Sequence, residues 1–211
     1  MTAALGDRER AELLRLGTAT LYEAARRDCF LPHRLRPAWP GAALVGRALP
    51  VWAAPADNLA LHAALDSAEP GDVLVVDGHQ RACGYWGEIL AVAALARGVV
   101  GLVIDGGVRD VARLAQLGFP AFSASIAVRT TVKQDAGRIG QPLELGGVTI
   151  ERGDVIVADD DGVISLPAAD LEQVLDAARA RDRAEAGYLE RIGAGESTLD
   201  IYQLRRLLGP G

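Results

Sequence analysis

Two periods of apolar residues run through the chain. Residues 72–76, 99–104 and 154–158 are short and almost wholly apolar, and Gly, Pro and Asp bound them. Such runs read as strands buried on both faces. Residues 119–123, 143–145, 148–150 and 163–166 are shorter runs of the same kind. Gly146-Gly147, Arg152-Gly153 and the acidic turn Asp159-Asp160-Asp161-Gly162 separate the last of these, a spacing that suggests small antiparallel strands. Residues 42–54 also read as a strand, and Pro50 inside it suggests an edge or a bulge. Residues 129–133 are a weaker strand candidate. Helical spacing marks 7–16, stopped by Gly17, and 19–27, with Thr18 as its cap. It recurs in a helix ending at Ser67 after Asp57 or Asn58, then in 88–96, in 111–117, and in a long helix from Leu171 to about residue 192. Residues 33–41 and 77–87 read as irregular connections, and Asp105-Gly106-Gly107 as the stop of the strand before it.

Strands that alternate with helices through the middle of the chain give an α/β class. The character changes after Ala168. A charged helix leads to an apolar end with Leu199, Ile201, Tyr202, Leu204, Leu207 and Leu208. Apolar surface of that kind is covered by a neighbour more often than by water, so oligomerisation is expected. Residues 1–30 read as N-terminal helices and 168–211 as a C-terminal arm of one 211-residue domain.

Composition narrows the function classes. Half of the residues are hydrophobic and 5% aromatic, so the core is aliphatic. The net charge of −6 argues against a nucleic-acid partner held by phosphate contacts. No apolar run nears the roughly 18–20 residues of a membrane span. No leader pattern opens the chain, and Cys29 and Cys83 lack CxxC spacing. The expected setting is the cytoplasm, with two reduced thiols and no membrane contact.

Candidate chemistry concentrates at Arg109-Asp110, which follow an apolar strand and open a helix, where α/β layers place their sites. The segment lacks G-x-G-x-x-G and the P-loop pattern, so nucleotide readings have little support. A guanidinium can hold a carboxylate or a developing oxyanion, and an aspartate can bind a hard divalent cation. Glu88 lies 21 positions before Arg109, at the start of the preceding helix. Two such junctions can stand side by side, and the helix start at Gly87-Glu88-Ile89-Leu90 offers free backbone N–H groups to a carboxylate. His33, His62 and His79 share no ligand spacing. His62 reads as structural, and His79, beside Asp77, has at most a minor role at the site. No G-x-S-x-G is present. The echo between GDVLVVDG at Gly71 and GDVIVADDDG at Gly153 reads as a repeated turn rather than a duplication.

The segments PGDVLVVDG, GYWGEILAVAALARGVVGLVIDGGVRD, GFPAFS, GGVTIERGDVIVADDDGVI and AGESTLDIY carry a resemblance to the RraA-like family. Its members include 4-hydroxy-4-methyl-2-oxoglutarate and 4-carboxy-4-hydroxy-2-oxoadipate aldolases and the regulator of ribonuclease E activity. The resemblance implies a layered β/β/α domain of the swivelling type, assembled as a homotrimer or homohexamer with active sites between subunits. It implies that Gly87, Glu88, Ile89 and Leu90 hold a pyruvyl carboxylate through backbone N–H groups, and that Arg109 binds the keto-acid oxygens. Asp110 would be the direct ligand of Mg²⁺ or Mn²⁺. Glu88, with Glu185 of a neighbouring subunit, would hold metal-bound waters, and Glu196 is the alternative to Glu185. Glu88 departs from the aspartate of the aldolase pattern, whereas Asp110 departs from the regulator branch, which often lacks that carboxylate.

The function expected from this is a divalent-metal-dependent aldolase. It would cleave a 4-hydroxy-2-oxo acid to pyruvate and a second oxo acid, with oxaloacetate decarboxylation as a companion activity. A Schiff-base aldolase would need Lys133, the one lysine of the chain. A non-catalytic binder that regulates a ribonuclease is the alternative from another class. A methyltransferase reading finds no glycine-rich strand-turn-helix suited to S-adenosylmethionine.

Overall fold

Strand residues alternate between faces, and here both faces are covered. Leu74, Val76, Leu102 and Ile104 pack with Leu61, Leu65, Leu90, Ala94 and Leu114 of the helices. Val73, Val75 and Val103 pack on the opposite side with Leu143, Leu145 and Ile150. The sheet therefore lies between a helical layer and a small β layer, the expected β/β/α arrangement. The computed structural model describes residues 5–208.

In chain order the elements are α1 (Asp7–Ala25), β1 (Arg36–Pro37), β2 (Leu44–Trp52), α2 (Leu59–Ser67), β3 (Asp72–Trp86), α3 (Glu88–Ala96), β4 (Gly101–Val108) and α4 (Val111–Leu117). Then come β5 (Ala121–Ile126), β6 (Arg138–Ile139), β7 (Leu143–Leu145), β8 (Val148–Ile150), β9 (Val155–Asp159), β10 (Gly162–Leu166), α5 (Leu171–Gly193) and α6 (Thr198–Ile201). The main sheet runs β1-β5-β4-β3-β2-β9-β10, with β6 also on β2. Strands β2 to β5 are parallel to one another, and β1, β6, β9 and β10 pair antiparallel. The β7-β8 hairpin forms the second β layer.

Several expectations need correction. Residues 77–87 are not a loop, because β3 continues to Trp86 through three register shifts against β4. Nor does Asp105-Gly106-Gly107 end its strand. Gly106 and Gly107 pair with Arg81 and Gly84 on one side, and Gly107 pairs with Ser125 on the other. Glycines there signal close backbone approach, not a turn: a side chain on Gly107 would collide with the Cys83 carbonyl. Residues 129–133 form no strand, only a bridge between Asp57 and Val132.

Pro50 is in an interior strand rather than an edge. It sits between Arg47, where pairing to β9 ends, and Val51, where pairing to β6 begins. A proline's missing N–H is tolerated at such a gap. Gly17 does break α1, with φ 75°. Thr18, however, is anchored from afar: its N–H and hydroxyl donate to the Asp159 carboxylate at 2.8 and 2.6 Å. The Gly-Asp echo is one turn used twice. Asp72 accepts from the Glu69 N–H at 2.8 Å and Asp154 from the Glu151 N–H at 2.9 Å. The strands that follow these two turns, β3 and β9, flank β2 on opposite sides.

The C-terminal arm is held mainly at its root, with Ile201 also buried nearer its end. Leu171, Val174, Leu175 and Ala178 of α5 are buried, and Arg179 grips Glu12 of α1 at 2.8 and 2.6 Å. Beyond them Leu189, Leu207 and Leu208 are exposed. Among the described residues no helix is long and apolar enough to cross a membrane.

Asp105, buried in β4, receives two bonds from Arg34 at 2.8 and 2.6 Å. Removing one partner of a buried pair leaves the other uncompensated. Asp105→Ala should lower stability by about 3 kcal/mol, the lower end of that effect, because Arg34 keeps some contact with water. Urea denaturation measures it, and a midpoint equal to wild type would refute the role.

Candidate active site

Strands β3 and β4 end side by side, and that brings their two helix starts together. Trp86 pairs with Val108, and the Arg109 N–H then donates to the Trp86 carbonyl at 2.9 Å. This places Arg109 and Asp110 directly against Gly87 and the first turn of α3. Asp110 adopts a left-handed conformation, φ 57°, uncommon for a residue with a side chain and frequent at functional positions. Its carboxylate accepts from the Glu88 N–H at 3.1 Å. Gly87 is needed there, because a Cβ on it would collide with the Asp110 carboxylate.

One expectation sharpens as a result. Of the first-turn donors of α3, that of Glu88 already faces Asp110, which leaves Ile89 and Leu90 for a ligand. Nε of Arg109 lies 3.8 Å from Asp110, and both side chains are 42% exposed, so they are neighbours rather than a closed pair. Glu88 turns its carboxylate toward Arg113, at 3.8 Å. Gly106 and Gly107 do not make room for substrate, since their missing side chains face Tyr85, Cys83 and Ser125. The glycines that line the site are Gly84 and Gly87.

A cleft of about 140 Å³ opens here. Gly84, Tyr85, Gly87, Ile89, Leu90, Arg109 and Asp110 line it, together with a second group, Asn58, His62 and Lys133. The second group was not expected. Asn58 is buried, its amide Nδ2 donates to the Tyr85 carbonyl at 2.9 Å, and its Oδ1 has no protein partner. Burial, with a smaller contribution from Lys133, holds His62 below its ordinary pKa. Lys133 is exposed and so lacks the desolvation that activates a Schiff-base lysine. The one sequence signal for it was that the chain has a single lysine.

Other candidates fall elsewhere. His79 is in a separate cleft with Arg34, Asp77, Asp105 and Glu144. Glu185 is on α5, paired with Arg181 at 2.8 Å, and Arg191 engages Glu196. Neither glutamate lines the cleft of its own chain.

Among the described residues, no group of three or more His, Cys, Asp or Glu could hold a metal ion. A closed protein cage such as a structural zinc site is thus not built here. Mg²⁺ instead keeps several waters and takes one or two carboxylates. The half-exposed Asp110, with Glu88 beside it, fits that demand.

The RraA-like family model, described as Aldolase/RraA, matches residues 18–165. The chain belongs to the RraA-like family. A Halalkalibacterium halodurans protein, provisionally named 4-hydroxy-4-methyl-2-oxoglutarate aldolase, is 36% identical over 170 residues, covering 79% of this chain and 80% of that protein. Streptomyces coelicolor RraAS2, described as an unusual member of the RNase ES inhibitor RraA family, superposes with a TM-score of 0.77 at 28% identity, covering 88% of this chain and 98% of that one. The RNA-processing inhibitor RraA of Thermus thermophilis gives a TM-score of 0.65 at 27% identity, covering 71% and 92%. The RraA-like match includes every residue that lines the cleft and excludes Glu185 and Glu196.

Gly87→Ala tests the geometry of this RraA-like site. The added methyl must displace the Asp110 carboxylate, so ligand binding should fall about tenfold or more while the melting temperature changes little. Titration with pyruvate alongside a thermal melt reads both. A variant that binds like wild type would mean that Asp110 does not need its observed position.

Proposed function

We propose that this protein is a pyruvate-releasing aldolase acting on a 4-hydroxy-2-oxo acid with the aid of Mg²⁺ or Mn²⁺. The observation that carries the reading is the convergence of Arg109, Asp110 and the α3 first turn on one cleft. The N–H groups of Ile89 and Leu90 receive the substrate's carboxylate. Arg109 faces the 2-oxo oxygen, where negative charge develops as the C3–C4 bond breaks. A water held by Glu88, with Glu185 of a neighbouring subunit, takes the proton of the 4-hydroxyl. The electrons of that O–H bond form the carbonyl of the departing oxo acid, and those of the C3–C4 bond pass to the pyruvate enolate. Protonation of the enolate at C3 completes the reaction. Asn58 Oδ1 offers an acceptor to the 4-hydroxyl, and Lys133 a charge to the distal carboxylate. Asp110 would hold the divalent cation, which when bound polarises the 2-oxo acid and offsets the local carboxylates. Oxaloacetate passes through the same enolate, so its decarboxylation is a companion activity.

Assembly belongs to this reading. Ile89 and Val92 on α3, with Ile126 at the end of β5 and Val128 just after it, are exposed apolar residues. A homotrimer or homohexamer would cover them and bring in an arm carrying Glu185. The second reading, a non-catalytic regulator of a ribonuclease, draws on the likeness to RraA inhibitors. It leaves Asp110 and the acceptor of Asn58 without work.

A pyruvate-release assay over a panel of 4-hydroxy-2-oxo acids separates the two. Arg109→Ala and Asp110→Ala should each lower kcat by about 10²–10³-fold. EDTA should abolish turnover and Mg²⁺ restore it, and borohydride with pyruvate should leave no adduct. Full activity in both variants, or an EDTA-resistant enzyme that traps pyruvate, would overturn the proposal.

A further inference from the structure

The connection between β5 and β6 carries Lys133 to the cleft, yet it has no regular structure of its own. Something must fix it, because a long charged side chain on a free loop cannot hold a substrate in one place. Asp57 is buried at the start of α2. One of its oxygens accepts from the Leu59 N–H at 2.9 Å, and the other from the N–H groups of Gln134 at 2.7 Å and Asp135 at 2.9 Å. Two backbone bonds complete the clasp: Asn58 N–H to the Val132 carbonyl at 3.1 Å, and Val132 N–H to the Ala56 carbonyl at 2.9 Å. Lys133 is thus bracketed on both sides by residues tied to 56–58.

We propose that Asp57 is a positioning residue for Lys133: its carboxylate clamps the 132–135 segment to α2 and so fixes the ammonium group over the cleft. The proposal rests on the aldolase reading for what Lys133 does, but not for the clamp itself. A carboxylate is the suitable group, because three converging N–H donors need acceptors only, and an amide would present hydrogens to one of them. Burial by itself would push the Asp57 carboxyl up, but the three N–H groups and nearby Lys133 outweigh it and hold the group charged. The neighbouring Asn58 lines the cleft, so one dipeptide both lines the site and anchors the segment that carries Lys133.

Two measurements test this. Hydrogen exchange reads the clamp independently of activity. In Asp57→Asn, and more so in Asp57→Ala, the amides of 132–135 should exchange at least roughly tenfold faster, with β4 unchanged. Unchanged exchange would overturn the clamp. Should Asp57→Ala fail to fold, Asp57→Asn carries the test. The second is a double-mutant cycle in the pyruvate-release assay. Asp57→Asn and Lys133→Ala should each cut kcat/KM by roughly 10- to 100-fold, and the double variant should lose little more than Lys133→Ala alone. Multiplicative losses would overturn the action through Lys133, since a merely structural role would cost the same with or without that lysine. A wild type inert toward every acid would overturn the aldolase reading and the Lys133 part with it, while the exchange result still decides the clamp.

Discussion

The structure depends on how closely the ends of β3 and β4 can approach. Trp86 and Val108 are paired, and the next residues on each strand open a helix. For both helix starts to share one cleft, the space between them must hold backbone and almost nothing else. Gly84, Gly87, Gly106 and Gly107 meet that condition, each facing a neighbour that a methyl group would strike or crowd. Glycine weakens a strand by its unfolded-state entropy, so four of them at one junction are a local cost offset by the core on both faces of the sheet. What the cost secures is a carboxylate, a guanidinium and a helix's first N–H groups within one small space.

Charge contacts separate structural groups from the candidate site. Arg34–Asp105 and Arg152–Asp72 close to 2.6 and 2.7 Å, and both aspartates are buried. In each pair the buried carboxylate is neutralised at hydrogen-bond distance by its arginine. Arg109–Asp110 and Arg113–Glu88 stop at 3.8 Å, with all four side chains half exposed. Exposed pairs at that separation contribute little stability. The Asn58 acceptor is the complement of this, a buried polar atom that folding has left unanswered.

How much of this the sequence carried depended on range. Glu88, Arg109 and Asp110 could be placed because each sits at a strand-helix boundary, and such boundaries are written locally in apolar runs and glycines. The same local rule failed at 77–86, where Gly78 and Gly84 look like turn residues but serve an irregular strand. It failed again at Thr18, whose partner Asp159 is 141 residues away. That Asn58 and Lys133 share one cleft was hidden for a stronger reason. Their meeting depends on the Asp57–Val132 bridge, a contact that no periodicity reports. Lys133 was read as part of a strand because Thr-Val-Lys-Gln has β-forming composition, whereas one isolated bridge and bonds to the Asp57 side chain, not a ladder, fix the backbone around it.

On the family resemblance, Glu88 stands where the aldolase pattern has aspartate, and its surroundings fit a longer acid. Its backbone N–H is already committed to Asp110, so the residue serves the site through its main chain whatever its side chain does. Its carboxylate, half exposed, lies 3.8 Å from Arg113 of α4. A carboxylate so placed is better suited to hold water than to bind a cation directly. On the proposed reading that is the role required of it, so glutamate for aspartate changes the reach of a water contact without removing a metal ligand.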